Sequence, residues 1–280
     1  MGATPTETRA YQLARYLAPG PFEPIPLLVY QRADLPDPKP AVVYYHGVTQ
    51  RKEAYVDSHP LARTLADSGL VVALPDAPGH GERPAGATVT DRLRVSLPRE
   101  FCADIEQAGD EATALFDWLA ALPGVDAQRL AVAGLSMGGF TAAVVGSRLR
   151  HRLKAAVCIA GSAGLEECMA ATDSIAPGKW GPPDRSIDAE TRERIARIDP
   201  LYYPERFSPL PLLLLHGARD TWNPPSTTTQ FAAQLAARYG GPNRFRFLLV
   251  PNAPHWPPAA AIVDAAADWL TTHLKETPAR

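Results

Sequence analysis

Cysteine is scarce. Three occur in 280 residues, Cys102, Cys158 and Cys168, too scattered for a disulfide framework and without a C-x-x-C pair. That excludes a disulfide-stapled scaffold and fits a reducing compartment. No apolar segment reaches the length of a membrane span, and the N-terminus has no basic start followed by a long apolar stretch. The formal charge of −2 is close to neutral, and no Lys/Arg run interleaves with aromatics, which argues against nucleic acid and anionic membrane as partners. No His/Cys/Asp cluster has metal-ligand spacing, and no G-x-G-x-x-G or phosphate-cradling loop precedes a helix. Internal repeats and low-complexity segments are also lacking. The expectation is a soluble, cytoplasmic protein with neither metal nor other cofactor.

Hydrophobic residues make up 46% of the chain, enough for a sizeable core. Their arrangement alternates between two periods. Ile25–Tyr30, Ala41–Tyr45, Leu70–Leu74, Leu130–Ala133, Ala155–Ala160, Leu210–Leu215 and Arg244–Val250 read as strands, several of them apolar throughout, as strands buried on both faces are. Between them, Leu61–Ser68, Cys102–Leu122, Ser226–Tyr239 and Ala259–Leu274 read as helices. Residues 4–18 carry Tyr11, Leu13, Ala14 and Leu17 at weak helical spacing and are expected to be helical. Strands alternating with helices predict a mostly parallel sheet covered on both faces. Residues 161–208 break the rhythm with Pro, Gly and charge, and are expected to be a lid inserted into a single domain spanning 1–280.

One stretch organises the rest. Gly134-Leu-Ser-Met-Gly138 lies between a strand and an apolar helix, the setting that turns a weak G-x-S-x-G pattern into a nucleophile elbow. A serine in such a strained turn lifts its hydroxyl above the sheet, while the helix behind it aims free N–H groups at the same point. In an open parallel sheet, functional groups gather beyond the carboxyl ends of the strands. Those positions hold His46, the loop Asp76–Arg83, Ser136, Asp220 and His255, and the last three come in the order Ser, Asp, His. Ser136 is the candidate nucleophile, His255 its base and Asp220 the acid that orients the imidazole. The backbone N–H of Met137 is the first candidate oxyanion donor. Asp76 competes for the role of acid and His80 for that of base. His46 and His216 are expected to tether loops, and His59, His151 and His273 to be solvated.

These segments together resemble the α/β-hydrolases, in particular small bacterial carboxylesterases related to dienelactone hydrolases and to the catalytic domains of prolyl oligopeptidases. The likeness is carried by Tyr45-His-Gly-Val-Thr-Gln-Arg-Lys-Glu53, Leu74-Pro-Asp-Ala-Pro-Gly-His-Gly-Glu-Arg83, Gly134-Leu-Ser-Met-Gly-Gly139, Leu215-His-Gly-Ala-Arg-Asp220 and Pro254-His255. It implies an α/β-hydrolase fold, acyl transfer through an acyl-enzyme and a second oxyanion donor in the N–H of Val48. Dienelactone hydrolases use cysteine as nucleophile, and Ser136 departs from that. Trp180 in the expected lid, with Trp222 and Trp256 beside the acid and base, suggests an apolar, fairly enclosed pocket. A small-molecule ester is the expected substrate. Thioesters, lactones and peptides use the same machinery, and a silent binding scaffold is the reading from a different class.

Overall fold

A computed structural model describes residues 10–83, 86–171, 186–256 and 258–275. Its centre is a sheet of eight strands, β1 (Tyr11–Ala18), β2 (Ile25–Arg32), β3 (Lys39–Tyr45), β4 (Val71–Pro75), β5 (Val125–Leu135), β6 (Ala155–Ile159), β7 (Leu212–Gly217) and β8 (Phe245–Val250). Their order across the sheet is β1-β2-β4-β3-β5-β6-β7-β8. From β4 to β8 every pairing is parallel; β1 and β2 join antiparallel at one edge. The helices are α1 (Lys52–Asp57), α2 (Pro60–Asp67), α3 (Val89–Val95), α4 (Leu97–Ala121), α5 (Met137–Arg148), α6 (Leu165–Ala171), α7 (Ala189–Ile198), α8 (Pro225–Ala236) and α9 (Ala260–Lys275).

Alternation along each strand sorts its side chains into two layers. Val43, Val132, Cys158, Leu212 and Leu214 face α4, α5 and α8 through Leu115, Phe116, Leu119, Val145 and Phe231. Their sequence neighbours Val42, Ala131, Ala133, Val157 and Leu213 face α2 and α9 through Leu61, Leu65, Ile262, Val263 and Leu270. Each Val, Leu, Ile or Phe side chain among them, fully buried, contributes about 1.5–3 kcal/mol of transfer free energy, which explains why the central strands carry almost no polar residues.

Two readings of the sequence are corrected here. Tyr11–Ala18 is a strand, not a helix. Its apolar residues mimic a helical stripe, but the segment is the sheet's edge, so Leu13 (51% exposed) and Leu17 (63% exposed) face outward and the alternation that would reveal a strand is lost. His59 is not solvated. It is buried at the head of α2, in contact with the Tyr44 hydroxyl at 3.0 Å and stacked on Tyr55 at 4.6 Å between ring centroids. Burial lowers its pKa to about 4.

Between β6 and β7, the described part of residues 161–208 packs down onto α4 and α5. Leu165, Cys168, Met169, Ile195 and Ile198 join Phe101, Cys102, Ile105, Met137 and Phe140 in one cluster. Arg194 and Arg197 both reach Glu106, and the buried Asp199 carboxylate accepts the N–H groups of Gly164, Leu165 and Leu201. Among the described residues, no helix is long and apolar enough to cross a membrane.

Candidate active site

The turn from β5 to α5 is held by steric necessity. Ser136 has φ of 58°, a left-handed conformation that side chains adopt only under constraint. A Cβ on Gly134 would lie 1.8 Å from the Gly138 carbonyl oxygen, and one on Gly138 would lie 2.1 Å from that of Tyr45. Only glycine fits at either place. The result puts Ser136 at the head of α5, where its carbonyl accepts the N–H groups of Gly139 and Phe140 and its side chain sits at the positive end of the helix.

Asp220 sits in the turn after β7 and His255 in the loop after β8, so the adjacent parallel ladder brings them side by side. His255 Nδ1 lies 2.7 Å from Asp220 Oδ2, and His255 Nε2 lies 3.0 Å from Ser136 Oγ. A carboxylate can only accept, so Nδ1 carries the proton and Nε2 offers its lone pair to the serine hydroxyl. All three residues are buried to more than nine-tenths. Burial alone would raise the Asp220 pKa, but hydrogen bonds from His216, His255 and the Asn223 N–H outweigh it and hold the carboxyl well below its usual range. Trp222 lies parallel to the His255 ring, with centroids 5.2 Å apart.

A cavity of about 160 Å³ opens over Ser136 and His255, lined by Gly47, Val48, Thr49, Gln50, Leu135, Trp222 and Trp256. The structure thus brings Ser136, Asp220 and His255 together, with Val48, Trp222 and Trp256 around them. Met137 is buried beneath the elbow, and Trp180 lies outside the described residues. The described aromatics of 161–208 do not line this cavity: Phe207 is in the core and Tyr202 is 55% exposed.

The loop bearing Val48 is braced by groups whose partnership no sequence pattern announces. Gly47 donates its N–H to the Tyr55 hydroxyl at 2.9 Å. His46 Nε2 accepts the N–H of Ala77 at 2.9 Å, so Nδ1 carries the hydrogen and donates it to the Gly47 carbonyl at 2.8 Å. Desolvation keeps that imidazole neutral by lowering its pKa. The rivals for the catalytic roles are committed elsewhere. Asp76 binds the Lys52 ammonium at 2.5 Å and the N–H groups of Lys52 and Glu82. His80 rests on the Pro78 carbonyl at 2.8 Å, and burial lowers its pKa to about 3. Arg83 is buried with Glu111 in a two-pronged ion pair that pins the Asp76–Arg83 loop to α4. Among the described residues, no group of three or more His, Cys, Asp or Glu is placed to hold a metal ion.

Comparison with known proteins identifies the family and the fold. Over 240 residues the chain is 29% identical to YitV of Bacillus subtilis, a protein provisionally named an esterase, covering 84% of this chain and 89% of the relative. It is 30% identical over 258 residues to the esterase YjfP of Escherichia coli, covering 89% and 96% respectively. In three dimensions it superposes on TT1662 from Thermus thermophilus with a TM-score of 0.71 at 20% identity, over 96% of this chain and all of that one. The fold is that of the α/β-hydrolases. Residues 59–277 match the profile of peptidase family S9. With most of its length accounted for by that match, the chain belongs to the prolyl oligopeptidase family.

Proposed function

We propose that the protein hydrolyses carboxylic esters of small to medium acyl groups, with Ser136 as nucleophile. The observation that carries this reading is the unbroken hydrogen-bonded line from Ser136 Oγ through His255 to Asp220. In the forward step, Ser136 Oγ attacks the ester carbonyl while its proton passes to His255 Nε2. Asp220 stabilises the imidazolium through Nδ1–H. The carbonyl oxygen becomes an oxyanion, met by the N–H groups of Val48 and Met137. Collapse expels the alcohol, which takes the proton from His255, and leaves an acyl-enzyme. Water then repeats the sequence and releases the acid.

The cavity favours small substrates. A volume of about 160 Å³ amounts to about five water molecules, or a short acyl chain. Val48, Leu135, Trp222 and Trp256 supply apolar walls, which suits an uncharged acyl group. The names of YitV and YjfP point the same way. Amides, thioesters and lactones pass through the same kind of tetrahedral oxyanion, so the choice among them is decided by assay.

Intact-mass analysis after treatment with a fluorophosphonate probe, comparing the wild type with Ser136→Ala, tests the mechanism. One adduct on the wild type and none on the variant is expected. A panel of p-nitrophenyl esters of rising chain length, run beside peptide anilides and thioesters, tests the substrate class. An unlabelled, well-folded wild type would overturn the reading in favour of a binding scaffold, and faster turnover of peptide anilides would make the protein a peptidase.

A further inference from the structure

The acid of the proposed triad is held by more than the triad. Asp220 Oδ1 accepts the N–H groups of Trp222 at 2.8 Å and Asn223 at 2.9 Å. Oδ2 receives His255 Nδ1–H at 2.7 Å and also faces a second imidazole, with His216 Nε2 at 3.1 Å. His216 is the penultimate residue of β7 and is completely buried.

The state of that second ring follows from its neighbours. His216 Nε2 faces Asp220 Oδ2 and, at 3.1 Å, the Asn223 carbonyl. Both are acceptors, so Nε2 carries a hydrogen. Nδ1 lies 2.8 Å from the Thr228 hydroxyl, which in turn lies 3.1 Å from that of Ser162. In the neutral ring Nδ1 accepts from Thr228, and Thr228 accepts from Ser162. The chain therefore points one way, Ser162 to Thr228 to His216, whose single Nε2 hydrogen is shared between the Asn223 carbonyl and the Asp220 carboxylate, each donor polarising the next. Asn223 closes the frame: its side-chain amide donates to the carbonyl of Ala160, a residue held at φ of 53° just after β6. The acid loop is thereby tied to the strand end beside the elbow.

We propose that His216 is a positioning residue for the acid–base pair, sharing Asp220 Oδ2 with His255 and so fixing both the direction of the carboxylate and the fraction of its charge that His255 feels. This rests on the reading of Ser136, His255 and Asp220 as catalytic. Two donors on one oxygen divide its charge. Removing the His216 donor leaves more of that charge to stabilise the His255 imidazolium, which makes His255 more basic. The base then protonates at higher pH, so the acidic limb of the pH–rate profile moves upward. Among the described residues, His255 itself and, from α6, Cys168 also interact electrostatically with Asp220, and burial pushes the Cys168 thiol up to about 12 and thus keeps it neutral.

The test uses the amide that replaces each ring nitrogen. His216→Asn keeps a group at the Nδ1 position, toward Thr228, and loses the donor to Asp220. His216→Gln keeps a donor at the Nε2 position. Thr228→Val removes the hydroxyl behind the ring without touching the carboxylate. For p-nitrophenyl acetate, His216→Asn is expected to lower kcat about tenfold with KM little changed, since the substrate never touches this residue. Its acidic limb is expected to move up by about half a pH unit or more. His216→Gln should restore most of both, and Thr228→Val, which carries the test if His216→Asn does not fold, should give a smaller shift of the same sign.

The low-field NMR signal of the His255 Nδ1–H proton reads the same hydrogen bond without turnover, and should move further downfield in His216→Asn but not in His216→Gln. A uniform loss of activity at every pH with an unmoved limb, or equal behaviour of the two amides, would overturn the proposal. A wild type that neither hydrolyses the ester nor takes up fluorophosphonate, yet shows the NMR response, would overturn the catalytic reading and leave the positioning role standing.

Discussion

Arg83→Met is the perturbation whose outcome the packing determines best. Arg83 is 2% exposed and Glu111 is 3% exposed. The guanidinium meets the carboxylate in two parallel hydrogen bonds, one of them 2.9 Å, and adds a bond to the Asp76 carbonyl at 3.2 Å and one to Glu23 at 3.0 Å. Methionine fills much of the same channel, so the cavity left behind is small. What remains is a buried carboxylate whose other side-chain donor is the Gln107 amide at 2.9 Å. An uncompensated buried charge of this kind costs about 3–5 kcal/mol. At about 2–4 °C per kcal/mol for a domain of this general size, Tm falls by roughly 6–20 °C.

The companion variant, Arg83→Met with Glu111→Leu, removes the stranded charge and should recover most of that loss, because the penalty belongs to desolvation and not to a missing contact. Urea unfolding followed by circular dichroism, with slopes compared to exclude a change in the denatured state, measures both. A loss below about 1 kcal/mol for Arg83→Met would show the pair to behave as a surface ion pair. A double variant no more stable than Arg83→Met would refute the desolvation argument.

Other outcomes follow from single features. His59 has a pKa of about 4 when folded against 6.5 for the free side chain, so the unfolded chain takes up its proton first as pH falls. Stability is therefore full above about pH 6.5 and declines toward pH 4 by about 3 kcal/mol at most; in thermal melts across this range, His59→Gln should show a flatter curve, and an identical slope would count against the assignment. Gly134→Ala forces a Cβ to within 1.8 Å of a backbone oxygen, and is expected to cut ester hydrolysis by about a hundredfold or more through displacement of Ser136; wild-type turnover would mean the elbow yields freely. Trp256→Ala opens the cavity wall, so relative rates on p-nitrophenyl esters should shift toward longer acyl chains, and an unchanged chain-length profile would remove Trp256 from the specificity pocket.

The parallel strands were legible because burial on both faces leaves no room for polar residues, and runs such as Ala41–Tyr45 and Leu212–Leu215 announce themselves. The elbow was legible for a different reason: two glycines flank a serine where no Cβ fits. The order Ser136, Asp220, His255 followed from strand ends, and the geometry brings the three into one line. What escaped is whatever depends on a partner far away in sequence. Nothing local distinguishes Glu111 from the exposed acids of α4, since its burial depends on Arg83 from a loop 28 residues earlier. His59 looked like a surface residue because the Tyr44 and Tyr55 rings that receive it are assembled only by packing. The edge strand Tyr11–Ala18 failed for the opposite reason, having too few buried residues to display its period.

The parallel stacking of Trp222 on His255, with the ring planes 2° from parallel, carries an optical consequence. An imidazolium quenches a neighbouring indole far more strongly than a neutral imidazole does. Trp222 thus converts the charge of His255 into light, and the difference in emission between the wild type and Trp222→Phe is a spectroscopic titration of that ring in the resting protein, free of substrate and readable in real time as an inhibitor approaches.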